Sequence, residues 1–320
     1  MSEPVRWGLL STARINTAIL GGIRDSERAE VVAVASRDQD RAEDYARQHG
    51  IGRAYGSYAG LLEDDDVEVV YLSLPNSLHV EWSIWALEAG KHVLCEKPMA
   101  RRADDVERAF DTAERAGTLL MEAFMYRHHP QTKKAAELLR DGAIGELRQV
   151  RSLFSFTLTD EANVRLQSDL DGGALMDLGC YCINMERLLA GEPELVFGRQ
   201  RVGATGVDVG LVAVLEFASG VFGEFHCGFD LPAGTGLEAI GTEGTLAVRD
   251  PVRCRDPHVE VNGERIDVED VNRYLLEVEN FSAAVRGEAE PLLGRADAVG
   301  QARVIEALYR SAATGDGVSL

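Results

Sequence analysis

A lysine, an aspartate and a tyrosine in two segments of the chain could together remove the proton of a hydroxyl group. Lys97 lies between Glu96 and Pro98, and Asp177 and Tyr181 are four residues apart in a predicted helix, where such side chains share one face. A tyrosine with a pKa of about 10 is a poor base at neutral pH, but a nearby ammonium group lowers that pKa. Lys97 is the ammonium group in question, and it could also hold the substrate oxygen. Asp177 could accept hydrogen bonds from neighbouring hydroxyl groups and orient them.

Each of these residues also has a structural interpretation. Lys97 could be a surface lysine, Asp177 a buried helix cap and Tyr181 a core aromatic residue. We favour the catalytic interpretation because the three occur together in these contexts. No group of residues has the spacing of metal ligands, and no Ser-His-Asp or Cys-His set stands out, so we predict an enzyme without a metal site.

The elements that must position these residues fall into two parts of the chain. The predicted strands of the first part are apolar runs at residues 5–10, 31–35, 67–74, 92–95 and 119–124. Because helical stretches alternate with them, they indicate a parallel, doubly wound α/β sheet. After residue 125 a run of strands with Gly-containing turns, flanked by helices, indicates an α+β domain with a large, mostly antiparallel open sheet. We therefore predict one domain at residues 1–125 and a second at residues 126–320.

The turn after the first strand is a candidate phosphate site, because a doubly wound sheet binds its ligand at the carboxyl ends of its strands. The fingerprint G-x-G-x-x-G would place glycine where this chain has Ser11, Ala13 and Asn16. Serine and alanine are still small, Ser11 and Thr12 add hydroxyl donors, and a helix N-terminus offers N–H groups to a pyrophosphate. An ordinary helix cap is the alternative. The predicted cofactor contacts here are Ser11, Thr12, Ala13, Arg14 and Ile15.

The end of the second strand indicates which dinucleotide is bound. An acidic residue there would contact the ribose 2′-hydroxyl of NAD, whereas arginine suits the 2′-phosphate of NADP. The chain has Ser36 and Arg37 at this point and Arg41 one turn later, with Arg14 nearby. We interpret Asp38 as a helix N-cap in preference to a ribose contact. The sequence therefore predicts NADP in preference to NAD, bound by Ser36, Arg37 and Arg41.

Composition excludes several classes of protein. The 320 residues include 53 acidic and 33 basic side chains, and a net charge of -20 argues against nucleic-acid and anionic membrane partners. No apolar run reaches the roughly 20 residues of a membrane span, and no secretory signal pattern is present. The 5 cysteines are an odd number without C-x-x-C spacing. Reduced thiols and a cytoplasmic location are expected.

Several longer segments resemble a single family. They are Arg6-Trp7-Gly8, Ser73-Leu74-Pro75-Asn76-Ser77-Leu78-His79, Cys95-Glu96-Lys97-Pro98, Glu122-Ala123-Phe124-Met125-Tyr126-Arg127-His128-His129-Pro130, Gly172-Gly173-Ala174-Leu175-Met176-Asp177-Leu178-Gly179-Cys180-Tyr181 and Tyr274-Leu275-Leu276-Glu277-Val278-Glu279-Asn280-Phe281. Over the whole chain they resemble the Gfo/Idh/MocA family of oxidoreductases. The chain looks most similar to the branch of D-xylose 1-dehydrogenases, dimeric dihydrodiol dehydrogenases and glucose–fructose oxidoreductase, which has tyrosine, here Tyr181, where inositol dehydrogenase has histidine.

The resemblance implies a Rossmann domain that binds NADP and places further residues at the cofactor. These are Leu74, Pro75, Asn76, His79, Glu96 and Lys97, with the loop that ends at His79 facing the nicotinamide. The alternative for His79 is a structural residue in the first turn of a helix. It also implies a cis peptide before Pro98, which would direct Lys97 into the cleft. His129, or its neighbour His128, would line the mouth of the substrate site. The glycine-poor nucleotide loop departs from the usual pattern of the family.

The function expected from these residues is NADP-dependent oxidation of an aldopyranose, such as D-xylose or D-glucose, at C1 to the lactone. Lys97, Asp177, Tyr181 and His129 would contact the sugar. The alternatives are a reductase of keto sugars or 1,5-anhydrofructose, a trans-dihydrodiol dehydrogenase, and a non-catalytic NADP-binding regulator. Because Lys97, Asp177 and Tyr181 are all present, we favour an active enzyme.

The resemblance further implies that the open face of the second sheet packs against another subunit. Val209, Leu211, Ala213 and Leu215 alternate along one predicted strand. We expect them on the outer face, together with Phe222 and Phe225 of the next strand. An apolar face of this kind is unfavourable in water, which predicts a homodimer or homotetramer.

Overall fold

The computed structural model describes residues 3–320, which form two compact units. The first unit comprises the described residues up to Ala100 with Asp104–Met125 and Asn272–Val299, and the second comprises Arg101–Ala103, Tyr126–Val271 and Gly300–Leu320. The predicted division at residues 125 and 126 treated the chain as two consecutive segments. In the structure the chain returns to the first unit at Asn272.

The strands fall into one sheet in each unit. In chain order they are β1 (Val5–Leu9), β2 (Ala29–Ala35), β3 (Arg53–Tyr55), β4 (Val69–Leu72), β5 (His92–Glu96), β6 (Leu120–Ala123), β7 (Leu147–Ser155), β8 (Pro193–Val202), β9 (Asp208–Phe217), β10 (Phe222–Gly228), β11 (Gly234–Gly241), β12 (Thr245–Val248), β13 (His258–Val261), β14 (Glu264–Asp267) and β15 (Val318–Ser319).

Helices connect the strands of the first sheet and accompany the second. They are α1 (Asn16–Asp25), α2 (Gln39–His49), α3 (Tyr58–Leu62), α4 (His79–Glu88), α5 (Ala103–Ala116), α6 (Pro130–Arg140), α7 (Cys180–Ala190), α8 (Arg273–Val285) and α9 (Arg295–Thr314). Short 3₁₀ turns occupy Asn76–Leu78, Met125–His128, Val164–Leu166 and Ser168–Leu170, and a π-helical turn occupies Leu175–Gly179.

The first sheet has six parallel strands in the order β3-β2-β1-β4-β5-β6. This is the strand order of a Rossmann domain, and it places the switch point between β1 and β4. The apolar run of β4 is fully buried, as expected for a strand covered on both faces. The prediction of a doubly wound parallel sheet is confirmed.

The segment Asn272–Val299 belongs to the first unit because α8 packs directly on α1. A Cβ atom on Gly22 of α1 would lie 2.6 Å from the backbone of Tyr274, so the two helices approach as closely as a glycine allows. Trp7 of β1 donates a hydrogen bond to Ser282 at 3.3 Å and packs edge-on against Phe281. Residues from the C-terminal part of the chain therefore complete the core of the first unit, although they are far from β1 and α1 in sequence.

The second sheet has nine strands in the order β14-β13-β12-β11-β7-β10-β9-β8-β15. Its strands are antiparallel except for β10 and β7, which are parallel. One face is covered by the π-helical turn and α7, and a Cβ atom on Gly179 would lie 3.0 Å from the sulfur of Cys227 in β10. The prediction of a mostly antiparallel open sheet in an α+β domain is confirmed.

The expected orientation of β9 and β10 was largely wrong. Leu211, Ala213 and Leu215 are buried against the helical side, with at most 5% exposure, and Phe225 of β10 is 4% exposed. Of the residues expected on the outer face, Phe222 is clearly exposed and Val209 is half-buried. The outer face instead presents Val212 and Val214 of β9, which are 56% and 40% exposed, and Phe197 of β8. Both faces of β9 carry apolar side chains, so alternation alone does not distinguish the inner from the outer face.

Several features of the fold were not predicted. Strand β3 has only three residues, which is too short for an alternation pattern. The hairpin of β13 and β14 was also missed, although Asn262 and Gly263 both adopt positive φ between the strands. Asn-Gly is a strong sequence indicator of a two-residue hairpin turn and could have revealed it. Within residues 3–320 no helix has the length and apolar character of a membrane span.

Candidate active site

Three side chains stabilise the turn after β1. The hydroxyl groups of Ser11 and Ser73 lie 2.7 Å apart, Ser73 also donates to Asn16 Oδ1 at 2.6 Å, and Asn16 Nδ2 donates to the carbonyl of Ser11 at 2.7 Å. The backbone N–H of Ala13 donates to Ser11 Oγ at 3.0 Å. Ser73 follows β4, so the network connects the carboxyl ends of the two strands that flank the switch point. These hydrogen bonds hold the turn in the absence of the expected glycines.

The same turn presents backbone donors. Within the described part of the chain, the N–H groups of Thr12, Arg14 and Ile15 donate to no protein acceptor, and none of these three residues is fully buried. Helix α1 begins immediately after them. Free N–H groups at a helix N-terminus are the usual ligands of a pyrophosphate, so the turn fits this group. The Ser11 side chain, by contrast, belongs to a residue that is only 6% exposed, and its hydroxyl is hydrogen-bonded to Ser73.

Three arginines lie beside this turn and at the end of β2. Arg14, Arg37 and Arg41 are exposed, and none of them forms an ion pair among the described residues. In a chain with a net charge of -20, three unpaired guanidinium groups near one strand edge are unusual. Asp38 Oδ1 accepts the backbone N–H of Arg41 at 2.9 Å, which confirms its interpretation as the N-cap of α2. The arrangement is suited to a phosphate bound outside the ends of β1 and β2.

His79 connects the loop after β4 with the segment that follows β5. Its side chain is buried, and its Nδ1 and Nε2 atoms lie 2.9 Å and 2.8 Å from the carbonyl oxygens of Pro98 and Leu74. Asn76 and Pro75 lie in the intervening turn and are half-buried. The geometry gives His79 a role in holding the two loops together.

The Lys97 segment is held by buried groups on both sides. Tyr71 of β4 donates its hydroxyl proton to Glu96, and burial raises the pKa of Tyr71 well above its usual value, so it remains a donor. The Lys97-Pro98 peptide bond is cis, as the resemblance implied. The backbone N–H of Met99 donates to Glu122 Oε1 at 2.7 Å. Lys97 itself is half-buried between these anchored neighbours.

In the second unit, Asp177 and Tyr181 lie on consecutive helical segments of different type. Asp177 is in the π-helical turn Leu175–Gly179, and Tyr181 is in the first turn of α7. The prediction of a regular helix through both residues was therefore incomplete, since π-helical turns change the angular spacing of side chains and often occur at functional sites. The Tyr181 ring packs against Tyr126 and Phe154, with centroids 5.9 Å and 5.6 Å away, and the residue is 6% exposed.

A buried aspartate fixes the start of this helical segment. Asp208 Oδ2 accepts the backbone N–H of Leu175 at 2.7 Å, and Oδ1 accepts the hydroxyl of Tyr309 at 2.8 Å. Burial raises the pKa of Asp208 to about 6, against the effect of these two hydrogen bonds. The preceding Gly173 has φ +131, and a Cβ atom there would lie 2.2 Å from Asp208 Oδ1. Only glycine fits between Asp208 and the helix start.

An arginine that the sequence analysis did not identify contacts Asp177. Arg165 Nε lies 2.6 Å from Asp177 Oδ2, and the side chains of Arg165 and Asp177 are 44% and 16% exposed. The two residues are 12 positions apart across a loop with no periodic pattern. No feature of the sequence around Arg165 indicates this pairing.

The two histidines before α6 are both buried. His129 caps the helix, since its Nδ1 accepts the backbone N–H of Gln131 at 3.1 Å. Burial lowers the pKa of His128 to about 3, so that its ring is neutral. Arg127, their neighbour, donates to Asn184 Oδ1 at 3.1 Å. Within residues 3–320 no cluster of His, Cys, Asp or Glu could hold a metal ion.

The structure thus assembles two sets of predicted residues, one in each unit. The first unit contains the turn after β1, the arginines and the anchored Lys97 segment. The second contains Asp177, Tyr181 and the buried His129. A Rossmann sheet with free backbone N–H groups at its switch point has the form of a dinucleotide-binding domain, which is typical of a class of dinucleotide-dependent enzymes.

Family comparison identifies that class. Residues 5–124 match the domain described as an oxidoreductase family with an NAD-binding Rossmann fold, and residues 132–247 match the GFO/IDH/MocA C-terminal domain. The chain belongs to the Gfo/Idh/MocA family of oxidoreductases. The resemblance stated from the sequence is confirmed, and so is the prediction of an enzyme.

Individual relatives are similar over almost the whole chain. A D-xylose 1-dehydrogenase (NADP(+)) from Haloferax volcanii is 39% identical, with 98% of this chain and 99% of the relative covered. The crystal structure of a 3-ketoreductase from Actinomadura kijaniata in complex with NADP and TDP-benzene is 33% identical, with a TM-score of 0.91 over 96% of this chain and 98% of that one. An aldose-aldose oxidoreductase from Caulobacter crescentus is 28% identical, with a TM-score of 0.91 over 99% of this chain and 100% of that one. All three of these relatives are named as oxidoreductases, and the first and the third are named for sugars.

Proposed function

We propose that this protein is an NADP-dependent dehydrogenase that oxidises the C1 hydroxyl of an aldopyranose, such as D-xylose or D-glucose, to the lactone. The observation that carries the proposal is the full-length similarity to the D-xylose 1-dehydrogenase of Haloferax volcanii. The unpaired arginines at the nucleotide end and the anchored Lys97 segment support it.

In this proposal the cofactor residues have separate tasks. The N–H groups of Thr12, Arg14 and Ile15 hold the pyrophosphate, and Arg37 and Arg41 hold the 2′-phosphate. Ser11 and Ser36 act by shaping the loops, because Ser11 is bonded to Ser73 and Ser36 Oγ accepts the backbone N–H of Asp38. The small side chain of Ala13 allows the backbone to approach the pyrophosphate closely. The part of the site that faces the nicotinamide is shaped by Leu74, Pro75, Asn76, His79 and Glu96.

The catalytic groups move one proton. Bound NADP⁺ supplies the acceptor for the hydride that leaves C1. Tyr181 accepts the proton of the C1 hydroxyl, and the Lys97 ammonium stabilises the tyrosinate and holds the substrate oxygen. Asp177 accepts hydrogen bonds from adjacent sugar hydroxyls. His129 is proposed to shape the sugar site from the N-terminus of α6.

A panel of aldoses, assayed at the absorbance band of reduced nicotinamide with NADP⁺ and with NAD⁺, tests the proposal. Turnover of one or more aldopyranoses with NADP⁺ is expected. A second candidate, reduction of a keto sugar by the same groups, is favoured by the ketoreductase structure and is tested by running the assay in reverse with NADPH. A protein that binds NADP but turns over no substrate in either direction would be a regulator.

Replacement of Arg37 by alanine is expected to weaken NADP binding by about 10- to 100-fold, because the variant loses a hydrogen bond to a charged phosphate group. NAD binding should change little, because NAD lacks the 2′-phosphate. Dissociation constants for both cofactors, measured by fluorescence titration, check this. Arg47→Ala is the matched control, since Arg47 lies in α2, the helix that follows Arg37, and is paired with Asp44. Equal losses for the two cofactors, or a wild-type preference for NAD, contradict the prediction.

We further propose that the outer face of the second sheet joins two copies of this chain in a homodimer or homotetramer. Val212, Val214 and Phe222 are exposed on this face. Beside them, Arg151 lies 2.6 Å from Glu224 and 3.6 Å from Glu238, so both of these carboxylates already have a cationic partner on the face. A face that combines an apolar band with internally paired charges is suited to a second copy of itself.

Sedimentation velocity at micromolar concentration is expected to show a dimer or tetramer. Val212→Glu should shift the protein to the monomer, because it places a charge in the apolar band. Leu292→Glu, an exposed leucine in the first unit, serves as the control and should not alter the state. A wild-type monomer under these conditions rules out the assembly.

A further inference from the structure

The contact between Arg165 and Asp177 is built into the backbone of the second unit. The loop before the π-helical turn folds back on itself, so that the N–H of Gly173 donates to the carbonyl of Arg165 at 2.9 Å. The N–H of Gly172 likewise donates to the carbonyl of Gln167 at 3.0 Å. Arg165 is thereby fixed through its own main chain to the residues that begin the helical segment of Asp177.

The two glycines are required for this approach. A Cβ atom on Gly172 would lie 2.5 Å from the carbonyl oxygen of Arg165, and one on Gly173 would meet Asp208. Asn163 adds a further restraint, because its side chain accepts the backbone N–H of Arg165 at 3.1 Å. Leu166 is buried beneath the loop at 5% exposure. The loop is thus held on the helix start by main-chain contacts and by one buried side chain.

The side-chain contact itself is a short hydrogen bond between opposite charges. Arg165 Nε donates to Asp177 Oδ2 at 2.6 Å, and a guanidinium group directs a carboxylate more narrowly than an ammonium group does. Because the arginine is 44% exposed, solvent screens the pair, and its contribution to folding stability is small. The main effect of the contact is therefore to orient the Asp177 carboxylate.

We propose that Arg165 is a positioning residue for the sugar, acting through Asp177. Arg165 holds the Asp177 carboxylate in the orientation in which it accepts hydrogen bonds from the hydroxyl groups adjacent to C1. This inference rests on the proposed function, because it takes Asp177 as the group that binds the sugar. It adds a residue from the preceding loop to the determinants of substrate affinity.

Steady-state kinetics of single and double variants test the inference, with the aldose that the wild type oxidises fastest. Arg165→Ala is expected to raise the sugar KM by about tenfold and to change kcat much less, since a binding contact is misdirected. Arg165→Lys should recover part of the loss, because it restores the charge without the planar geometry. The affinity for NADP and the melting temperature should stay close to the wild-type values.

The double variant of Arg165→Ala with Asp177→Asn decides whether Arg165 acts through Asp177. Its sugar KM is expected to match that of Asp177→Asn alone, because the arginine has no further effect once its target is changed. Arg148→Ala is the control, since Arg148 pairs with Glu146 at 2.6 Å at the opposite end of β7 from this loop. It should leave the sugar KM unchanged.

The possible failures are distinguishable. If Asp177→Asn raises the sugar KM but Arg165→Ala does not, or if the two effects multiply in the double variant, the role of Arg165 is wrong and the proposed function stands. If Asp177→Asn leaves the sugar KM unchanged, the assignment of Asp177 to the sugar is wrong, and the inference is overturned with it. If Arg165→Ala lowers both the melting temperature and the activity, and Arg165→Lys recovers neither quantity, the role of Arg165 is structural only.

Discussion

Replacement of Tyr181 by phenylalanine is expected to lower kcat by about 10²- to 10⁴-fold, the usual contribution of a positioned proton acceptor. The ring is packed between Tyr126 and Phe154, and phenylalanine retains those contacts, so NADP binding and the melting temperature should be preserved. Steady-state kinetics, cofactor titration and thermal unfolding measure the three quantities.

Tyr126→Phe is the matched control for this loss. Tyr126 contacts the same ring, but its hydroxyl donates to Asn184 at 2.5 Å within the second unit, so most of the activity should remain. If Tyr181→Phe keeps most of its activity between about pH 6 and pH 10, another group accepts the proton. His79 is then a poor substitute, because both of its ring nitrogens face carbonyl oxygens, and Lys97 would be the next residue to test.

Lys97→Met is expected to produce a loss of similar size, because the tyrosinate would lack its cation. The double variant with Tyr181→Phe should be little worse than either single variant, since residues that act as one catalytic unit are not additive. Multiplication of the two losses would show that they act independently. This comparison tests whether residues from the two units take part in one step.

Gly173→Ala is expected to lower kcat/KM by about 10²-fold, because small displacements of catalytic groups cost this much. The new Cβ atom would lie 2.2 Å from Asp208 Oδ1 and would displace this carboxylate from the N–H of Leu175. The displacement would shift the helical segment that carries Asp177 and Tyr181. The melting temperature should also fall, because φ +131 strains an alanine by about 1–3 kcal/mol.

Gly191→Ala separates the effect of backbone strain at positive φ from the effect of the steric clash with Asp208. Gly191 has φ +91 after the other end of α7, and a Cβ atom there meets nothing within 4 Å. It should lose stability through strain but retain its activity. Equal losses of activity in the two variants would show that the contact between Gly173 and Asp208 has no special role.

The sequence predicted most of the first unit because each strand there is determined locally. Buried parallel strands consist of continuous apolar residues, and glycines such as Gly50 end the helices between them at positive φ. The turn after β1 was predicted as a phosphate site despite its missing glycines, and this stays a prediction. Its hydrogen bonds, however, depend on Ser73, which is 62 residues from Ser11 and reaches it only because β4 lies beside β1.

The second unit was predicted less completely, because its important contacts join distant segments. Asp208 was not identified, since an aspartate at the start of a strand carries no sign that it binds a helix N-terminus 33 residues earlier. The pairing of Arg165 with Asp177 depends on a loop whose course is set by two glycines. The apolar residues predicted for the outer face lie mostly on the buried side of β9, whereas Val212 and Val214 form the exposed apolar band.

The family, the doubly wound sheet and the residue types of the proposed chemistry could be predicted from the sequence, because apolar periodicity and short motifs are local properties. Three other features became visible only in the folded chain: the backbone N–H groups without a protein acceptor, the exposed face of the second sheet, and the contact between Arg165 and Asp177. These depend on packing between segments far apart in the chain. A side chain's partners follow from where the backbone brings it, and the local sequence does not contain that information.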